Sequence, residues 1–250
     1  MTPFNRVWVR QLLALAIALT LWEGAGRAGW LNPLYAPPPS RIGGALVELF
    51  ADGAIWPHLE ATFSAALGGL ALGIVVGVVL GAAAALVPLV AELLEPVMML
   101  LNAVPRVVLG PLFVIWLGIG IASKVALAFV LVAVLVFFTV YTGIKQVDRR
   151  LVERVRTLGG GRWAILREVY LPFVAAWIMG NLKVAVGFAF TGAVVGEFVG
   201  ASRGLGYLLS FAQSTYNASL MLALVLLIMA FVLLIFGIAG RLEKRLLRWR

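Results

Sequence analysis

The chain has 250 residues, 63% of them hydrophobic and only 12% charged, with a mean hydropathy of +1.05 and a formal net charge of +9. A water-soluble domain averages about 45–50% apolar and about 25% charged residues, so a soluble fold is excluded and an integral membrane protein is expected. With no cysteine and a single histidine, His58, neither a disulfide framework nor thiolate chemistry is available, and no cluster of metal ligands is visible.

A membrane-crossing helix needs about 20 mostly apolar residues. Six such stretches are read in chain order: Val9–Trp30, weakened by Glu23 and Arg27; Thr62–Val87; Leu93–Leu117, interrupted by Pro105, Arg106 and Pro111; Ser123–Ile144; Phe173–Val199; and Ser219–Gly240. The first reads as a retained helix rather than a cleaved signal, because Arg27 stands where a small-residue cleavage site belongs. Between it and the second span, Pro37-Pro38-Pro39 is stiff and extended. Ser40 is a candidate cap for a short helix through Phe50, Asp52-Gly53 signals a turn, and His58 reads as an interfacial polar residue. Gly69, Gly73, Gly77 and Gly81 line one face of the second span, and Gly192, Gly196 and Gly200 repeat the spacing, both as sites of close helix packing. Pro105 and Pro111 remove backbone donors from the third span. Such breaks are tolerated where protein or a water-filled cavity covers them, which makes this segment a candidate pathway wall; a plain proline kink is the alternative.

Charge placement orients the chain. Arg6 and Arg10, then Lys145 with Arg149, Arg150, Arg154, Arg156, Arg162 and Arg167, then Arg241, Lys244, Arg245, Arg248 and Arg250 all fall on one side of a six-span arrangement. Arg27, Arg41, Lys124 and Arg203 fall on the other, and Arg106 and Lys183 lie within spans. By the positive-inside rule both termini are cytoplasmic. The basic excess then belongs to topology and to anionic lipid headgroups, leaving no motive for nucleic acid. Charges at membrane depth are candidate functional groups: Glu23, Arg106, Lys183 and Glu197. Lys183 is also free to snorkel, and Glu197 also reads as an interfacial or structural carboxylate.

The polar island Asp148–Pro172 interrupts the apolar pattern. Asp148 is a plausible N-cap. Leu151, Val152, Val155 and Leu158 share one face of a short helix, and Gly159 supplies a left-handed stop. A second helical stretch runs from Arg162 to about Tyr170, and Leu171-Pro172 ends it and starts the next span. The first helix fits either the inner leaflet surface or a groove on a soluble partner.

This island resembles the cytoplasmic loop of binding-protein-dependent ABC importer permeases, whose pattern is Glu-Ala-Ala, three residues, Gly, nine residues, Ile, one residue, Leu-Pro. Glu153, Gly159, Val169 and Leu171-Pro172 keep that spacing; Arg154 and Val155 replace the two alanines, and Gly160-Gly161 also departs from the pattern. The segments Pro37–Ser40 with Leu46–Gly53, Pro105–Ile119, Ser123-Lys124, Gly180–Gly187, Glu197 and Gly204–Tyr207 extend the likeness to the branch serving nitrate, taurine, sulfonates and related solutes. The resemblance implies an all-α polytopic bundle of about six spans, of the type I ABC importer kind, with a cytoplasmic coupling helix. It covers roughly residues 35–250 and implies a permease domain there, in the bacterial inner membrane; residues 1–34, which hold the first apolar stretch, are expected to form an N-terminal transmembrane helix. The implied partners are an ABC ATPase, an extracytoplasmic solute-binding protein and a second permease, expected to be a copy of the same chain. The implied coupling-loop residues are Asp148, Leu151, Glu153, Val155, Leu158, Gly159, Leu171 and Pro172, and the pathway candidates are Pro105, Arg106, Pro111, Lys183 and Glu197. No cofactor is expected. The solute is expected to be small and anionic. Since the chain lacks a Gly-rich Lys-Ser/Thr phosphate loop, ATP hydrolysis would fall to a separate subunit and the chain itself is not expected to be an enzyme. The rival is an ion-coupled secondary transporter or channel, which would need an inverted repeat and a midplane ion site; neither is visible. A membrane-embedded enzyme would need a nucleophile–base pair or metal ligands, and one histidine without cysteine offers little to build either.

Overall fold

A computed structural model describes residues 3–246, with backbone only for residues 3–6, 106 and 242–246. Among the described residues every regular element is a helix: α1 (Pro3–Arg27), α2 (Pro39–Ala51), α3 (Ile55–Leu86), α4 (Pro88–Ala103), a 3-10 turn (Arg106–Leu109), α5 (Gly110–Leu117), α6 (Ile121–Lys145), α7 (Arg149–Thr157), α8 (Arg162–Ile165), a π-helical turn (Leu166–Tyr170), α9 (Leu171–Val199), α10 (Leu205–Ser214) and α11 (Ala218–Leu246). Five helical stretches among the described residues are long and apolar enough to cross a membrane: Val7–Arg27, Ile55–Leu86, Ile121–Lys145, Arg162–Val199 and Ala218–Arg241.

The core is built where glycine lets backbones touch. Gly69, Gly73, Gly77 and Gly81 are all buried on one face of α3. A Cβ on Gly73 would lie 2.6 Å from the Cβ of Val132, and one on Gly77 would lie 2.7 Å from that of Val136. Gly81 meets Val140 in the same way. Rising numbers on α3 meet rising numbers on α6, so the two helices run parallel. On α9 the order is reversed: Gly192 faces Ala128 and Gly196 faces Lys124, while Trp177 covers Gly143. Thus α9 runs antiparallel to α6. In turn α11 runs antiparallel to α9, with Phe236 beside Gly187 and Gly240 beside Lys183.

Parallel packing of α3 and α6 requires the chain between them to travel back across the bundle. No single helix does so: the stretch read as an interrupted span over Leu93–Leu117 is broken at Val104 and Pro105, and its first helix already starts at Pro88. The return is made by α4, the 3-10 turn and α5. The extended Val104 and Pro105 (φ −60°, ψ 93°) cannot continue a helix, and Pro111 is accommodated in the first turn of α5, where its missing N–H has no intrahelical partner to lose. Gly110 packs on Val199 and Leu127, so α5 reaches the end of the bundle opposite Leu86. Five uninterrupted helices and one broken crossing therefore make six passages. The loop from Lys145 to Leu171 and the end of α11 share one end of the bundle; the starts of α3, α6 and α11 share the other.

Two local expectations are also revised. Pro38, not Ser40, precedes the first turn of α2. Ser40 instead binds Glu23 of α1, its hydroxyl donating to Oε1 at 2.7 Å and its N–H to Oε2 at 2.9 Å, while Arg27 pairs with the same carboxylate at 2.6 Å. Glu23 thus anchors α1 to α2. Leu171-Pro172 does not end the second island helix: α8, the π-helical turn and α9 form one helical run, Arg162–Val199. Proline lacks the N–H that an α-helix would use, and Pro172 sits in the first turn of α9, directly after the π-helical turn whose wider spacing accommodates the change.

Candidate functional site

At the island end, the Asp148 side chain accepts a hydrogen bond from the Arg150 N–H at 2.9 Å and so caps α7. Arg154 and Arg156 occupy its last turn, where cations complement the helix dipole. Gly159 has φ +83°, the left-handed conformation that glycine adopts without a Cβ penalty. Val155 tucks back against Gly160, whose N–H donates to the Val155 carbonyl at 2.9 Å. A groove of about 330 Å³ separates α7 from the start of α9, lined by Leu151, Val155, Glu168, Val169, Pro172 and Phe173. Leu158 is 81% exposed and Trp163 74% exposed. Apolar side chains held this openly, one at the close of the capped helix α7 and one on α8 just beyond the glycine turn, mark a surface that something else covers.

At the opposite end lies a buried polar knot. Glu197, 2% exposed, accepts from the Thr62 hydroxyl at 2.8 Å and from the Gly206 N–H at 2.9 Å. The Leu205 N–H donates to the Thr62 oxygen at 2.8 Å, and the Gly204 N–H donates to His58 Nδ1 at 3.0 Å. The His58 ring stacks on Tyr207, centroids 5.8 Å apart and 3° from parallel. Lys124, 3% exposed, donates to the Ile119 carbonyl at 2.6 Å, to the Ser123 hydroxyl at 3.1 Å and to the Gly200 carbonyl. Each buried polar group is matched, as burial demands. Gly204 and Gly206 lie against the Glu197 side chain with no room for a Cβ. Together these bonds pin the 200–206 turn and α10 onto α3, α6 and α9. A cavity of about 170 Å³ opens beside the knot, touching Lys124, Glu197, Ser202 and Arg203.

Residues 61–248 match the family of binding-protein-dependent transport system inner membrane components. The chain belongs to that family. It is 30% identical to the riboflavin transport system permease protein RibX of Chloroflexus aurantiacus, over 95% of this chain and 88% of the relative. It is likewise 30% identical to the taurine transport system permease protein TauC of Escherichia coli, over 99% and 92%. A putative aliphatic sulfonates transport permease protein, SsuC of Bacillus subtilis, is 29% identical over 97% and 88%. Among solved structures, an inward-facing MetNI methionine ABC transporter matches with a TM-score of 0.61 at 22% identity, covering 77% of this chain and 94% of that one; this likeness concerns the fold.

In this member of the permease family the eight island residues named from the sequence are gathered in one place. Asp148, Leu151, Glu153, Leu158, Gly159 and Leu171 are exposed, while Val155 and Pro172 are half-buried beside the groove. The five pathway candidates are not brought together. Pro105 and Pro111 are exposed at the broken crossing, and the Arg106 side chain lies outside the described residues. Lys183 is exposed with its stem beside Gly240. It is about 21 Å along α9 from Glu197. The expectation that His58 is only interfacial gives way to its bond with Gly204. Sequence reasoning missed the knot's other members: Thr62, a small polar residue in an apolar run that donates to Glu197, and Lys124, which looked like a flanking charge but is buried and bonded to the Gly200 carbonyl. The available signal was the Glu197 and Gly204-Leu-Gly206 spacing, since two glycines close to a carboxylate at a span end suggest a backbone wrapped around it.

Proposed function

We propose that the chain is the membrane-spanning permease subunit of an ATP-driven importer, forming the path for a small solute delivered by an extracytoplasmic binding protein. Residues 1–34 serve as an N-terminal anchor and residues 35–250 as the transport domain, with both termini and the island in the bacterial cytoplasm and two copies paired in the bilayer. The solute class is drawn from the relatives' names: a sulfonate, taurine or a nitrogen heterocycle. Nitrate is not named by those relatives. The observation that carries the reading is the capped helix α7, with a groove along Leu151 and Val155 and with Leu158 at its close and Trp163 on α8 exposed, at the end of the bundle that also collects the basic residues.

In this reading α7 docks on the ATPase subunit. Leu151, Glu153 and Leu158 make the contact, Asp148 holds the helix, and Gly159 lets it swing. Closure of two ATPase subunits on ATP carries both α7 helices inward, and Leu171-Pro172 passes the displacement into α9. The broken crossing around Pro105, Arg106 and Pro111 lines the path, with Lys183 and Glu197 along α9. Copurification tests this directly. The wild-type permease is expected to bring down an ATPase, and Glu153→Arg and Gly159→Pro are each expected to weaken both ATPase association and uptake. Unchanged association and uptake in both variants would refute the coupling role, and uptake driven by an ion gradient with no ATPase present would point to a secondary carrier.

A further inference from the structure

The two ends of the island loop are built differently. Its exit runs through Gly159, Gly160, Gly161 and the π-helical turn, a compliant stretch. Its entry is stiff. At the close of α6 the Gln146 N–H donates to the Thr142 carbonyl at 3.0 Å and the Val147 N–H to the Ile144 carbonyl at 3.2 Å. Asp148 then caps α7 without an intervening free residue. A displacement of α7 therefore acts at once on Lys145, the last residue of α6.

Lys145 does not stand alone. Its Nζ donates to the Tyr141 hydroxyl and lies 4.1 Å from the centre of the Tyr141 ring. The same hydroxyl donates to Glu95 Oε2 of α4 at 2.9 Å. Tyr141 is buried and stacks on Phe137, centroids 5.8 Å apart. Tyr141 also belongs to a compact apolar cluster with Phe137, Met98 and Ala84, so its hydroxyl has little room to leave Glu95. Eight residues beyond Glu95 α4 ends, and the chain enters the Pro105 break.

We infer that Lys145, Tyr141 and Glu95 form a strut that carries motion of the island helix into α4 and the broken crossing, with Tyr141 as the positioning residue at its centre. The inference rests on the proposed docking of α7 on an ATPase, and adds a second route to the one through Leu171-Pro172. A lysine–tyrosine–glutamate chain transmits displacement well because each bond is charge-assisted and the central ring is clamped by packing. Coupling of this kind needs direct measurement.

The absence of cysteine makes the test clean. Val108, 66% exposed just past the break, is replaced as Val108→Cys in the assembled permease–ATPase complex. Its rate of reaction with a water-soluble maleimide is compared without nucleotide and after trapping with ATP and vanadate. A several-fold difference between the two states is expected. Tyr141→Phe, which keeps the ring and its packing, is expected to abolish most of that difference. Glu95→Leu is expected to do the same, the two together no more than either alone, while Glu95→Gln, which keeps an acceptor, retains it. A state-dependent rate that survives Tyr141→Phe, or no state dependence in the parent, overturns the strut. ATPase copurification and vanadate trapping are read in the same preparation. If both are normal in Tyr141→Phe, a negative result concerns the strut alone; if no ATPase associates even with the parent, the proposed function falls with it.

Discussion

The two polar regions of this permease sit at opposite ends of the bundle and follow opposite rules. The knot around Glu197 is buried, its groups matched by hydrogen bonds and its backbone pressed against the carboxylate by Gly204 and Gly206. The island carries more charge, yet most of it is exposed, and its bonds are local ones: a cap, a glycine turn, a hydroxyl back to its own helix. A buried polar group left unmatched costs far more than an exposed one. Residues of the knot are therefore expected to govern whether the fold exists, and residues of the island to govern what the fold does.

Substitutions at four positions sharpen or break that contrast. The largest effect is expected away from both regions, on the glycine face that holds them in one frame: Gly73→Leu drives a side chain into Val132 and the Ala133 backbone. It should cost about 3 kcal/mol or more, seen as loss of monodisperse permease in detergent. Next, Glu197→Ala leaves the buried Gly206 N–H without its acceptor and the Thr62 hydroxyl with only the His58 carbonyl at 3.1 Å, and is expected to cost about 1–3 kcal/mol. Glu197→Gln, which keeps one acceptor oxygen, should recover most of it in a thermal melt. A melt unchanged by Glu197→Ala would erase the distinction between the two ends. Asp148→Ala removes the α7 cap and should cost about 1 kcal/mol locally, read as faster amide exchange over 149–157 with the bundle melt unmoved. Smallest in stability is Glu153→Arg, expected to move the melt by less than about 0.5 kcal/mol while weakening uptake. A large drop in its melting temperature would mean that the island is structural after all.

How far the sequence carried depended on the range of the interactions. Spans set by continuous apolar composition were legible, as was the four-residue glycine spacing on α3, because a periodic face predicts its own burial. The island was legible because its cap, stripe and stop are all local. What escaped involved partners far apart in sequence. Thr62 and Glu197 meet only because α3 and α9 are brought together by α6, and Lys124 looks like a flanking charge until its amine is seen bonded to the Gly200 carbonyl. The third span was legible as an interrupted one, because proline removes the donors that a continuous helix needs; where it begins was not, since α4 already starts at Pro88. Leu171-Pro172 was legible as the start of a span but not as a continuation: it opens α9 directly after a π-helical turn, in one helical run with the second island helix.

The central claim is that the exposed face of α7 is covered by an ATPase on the cytoplasmic side. Leu158→Cys would be the only thiol in the chain, at a position 81% exposed. Its labelling by a membrane-impermeant maleimide can be followed in sealed vesicles of both orientations, before and after the ATPase is stripped away. The account predicts labelling only in inverted vesicles, slow with the ATPase bound and at least several-fold faster once it is removed. Labelling from the outer side, or a rate indifferent to the ATPase, would contradict it.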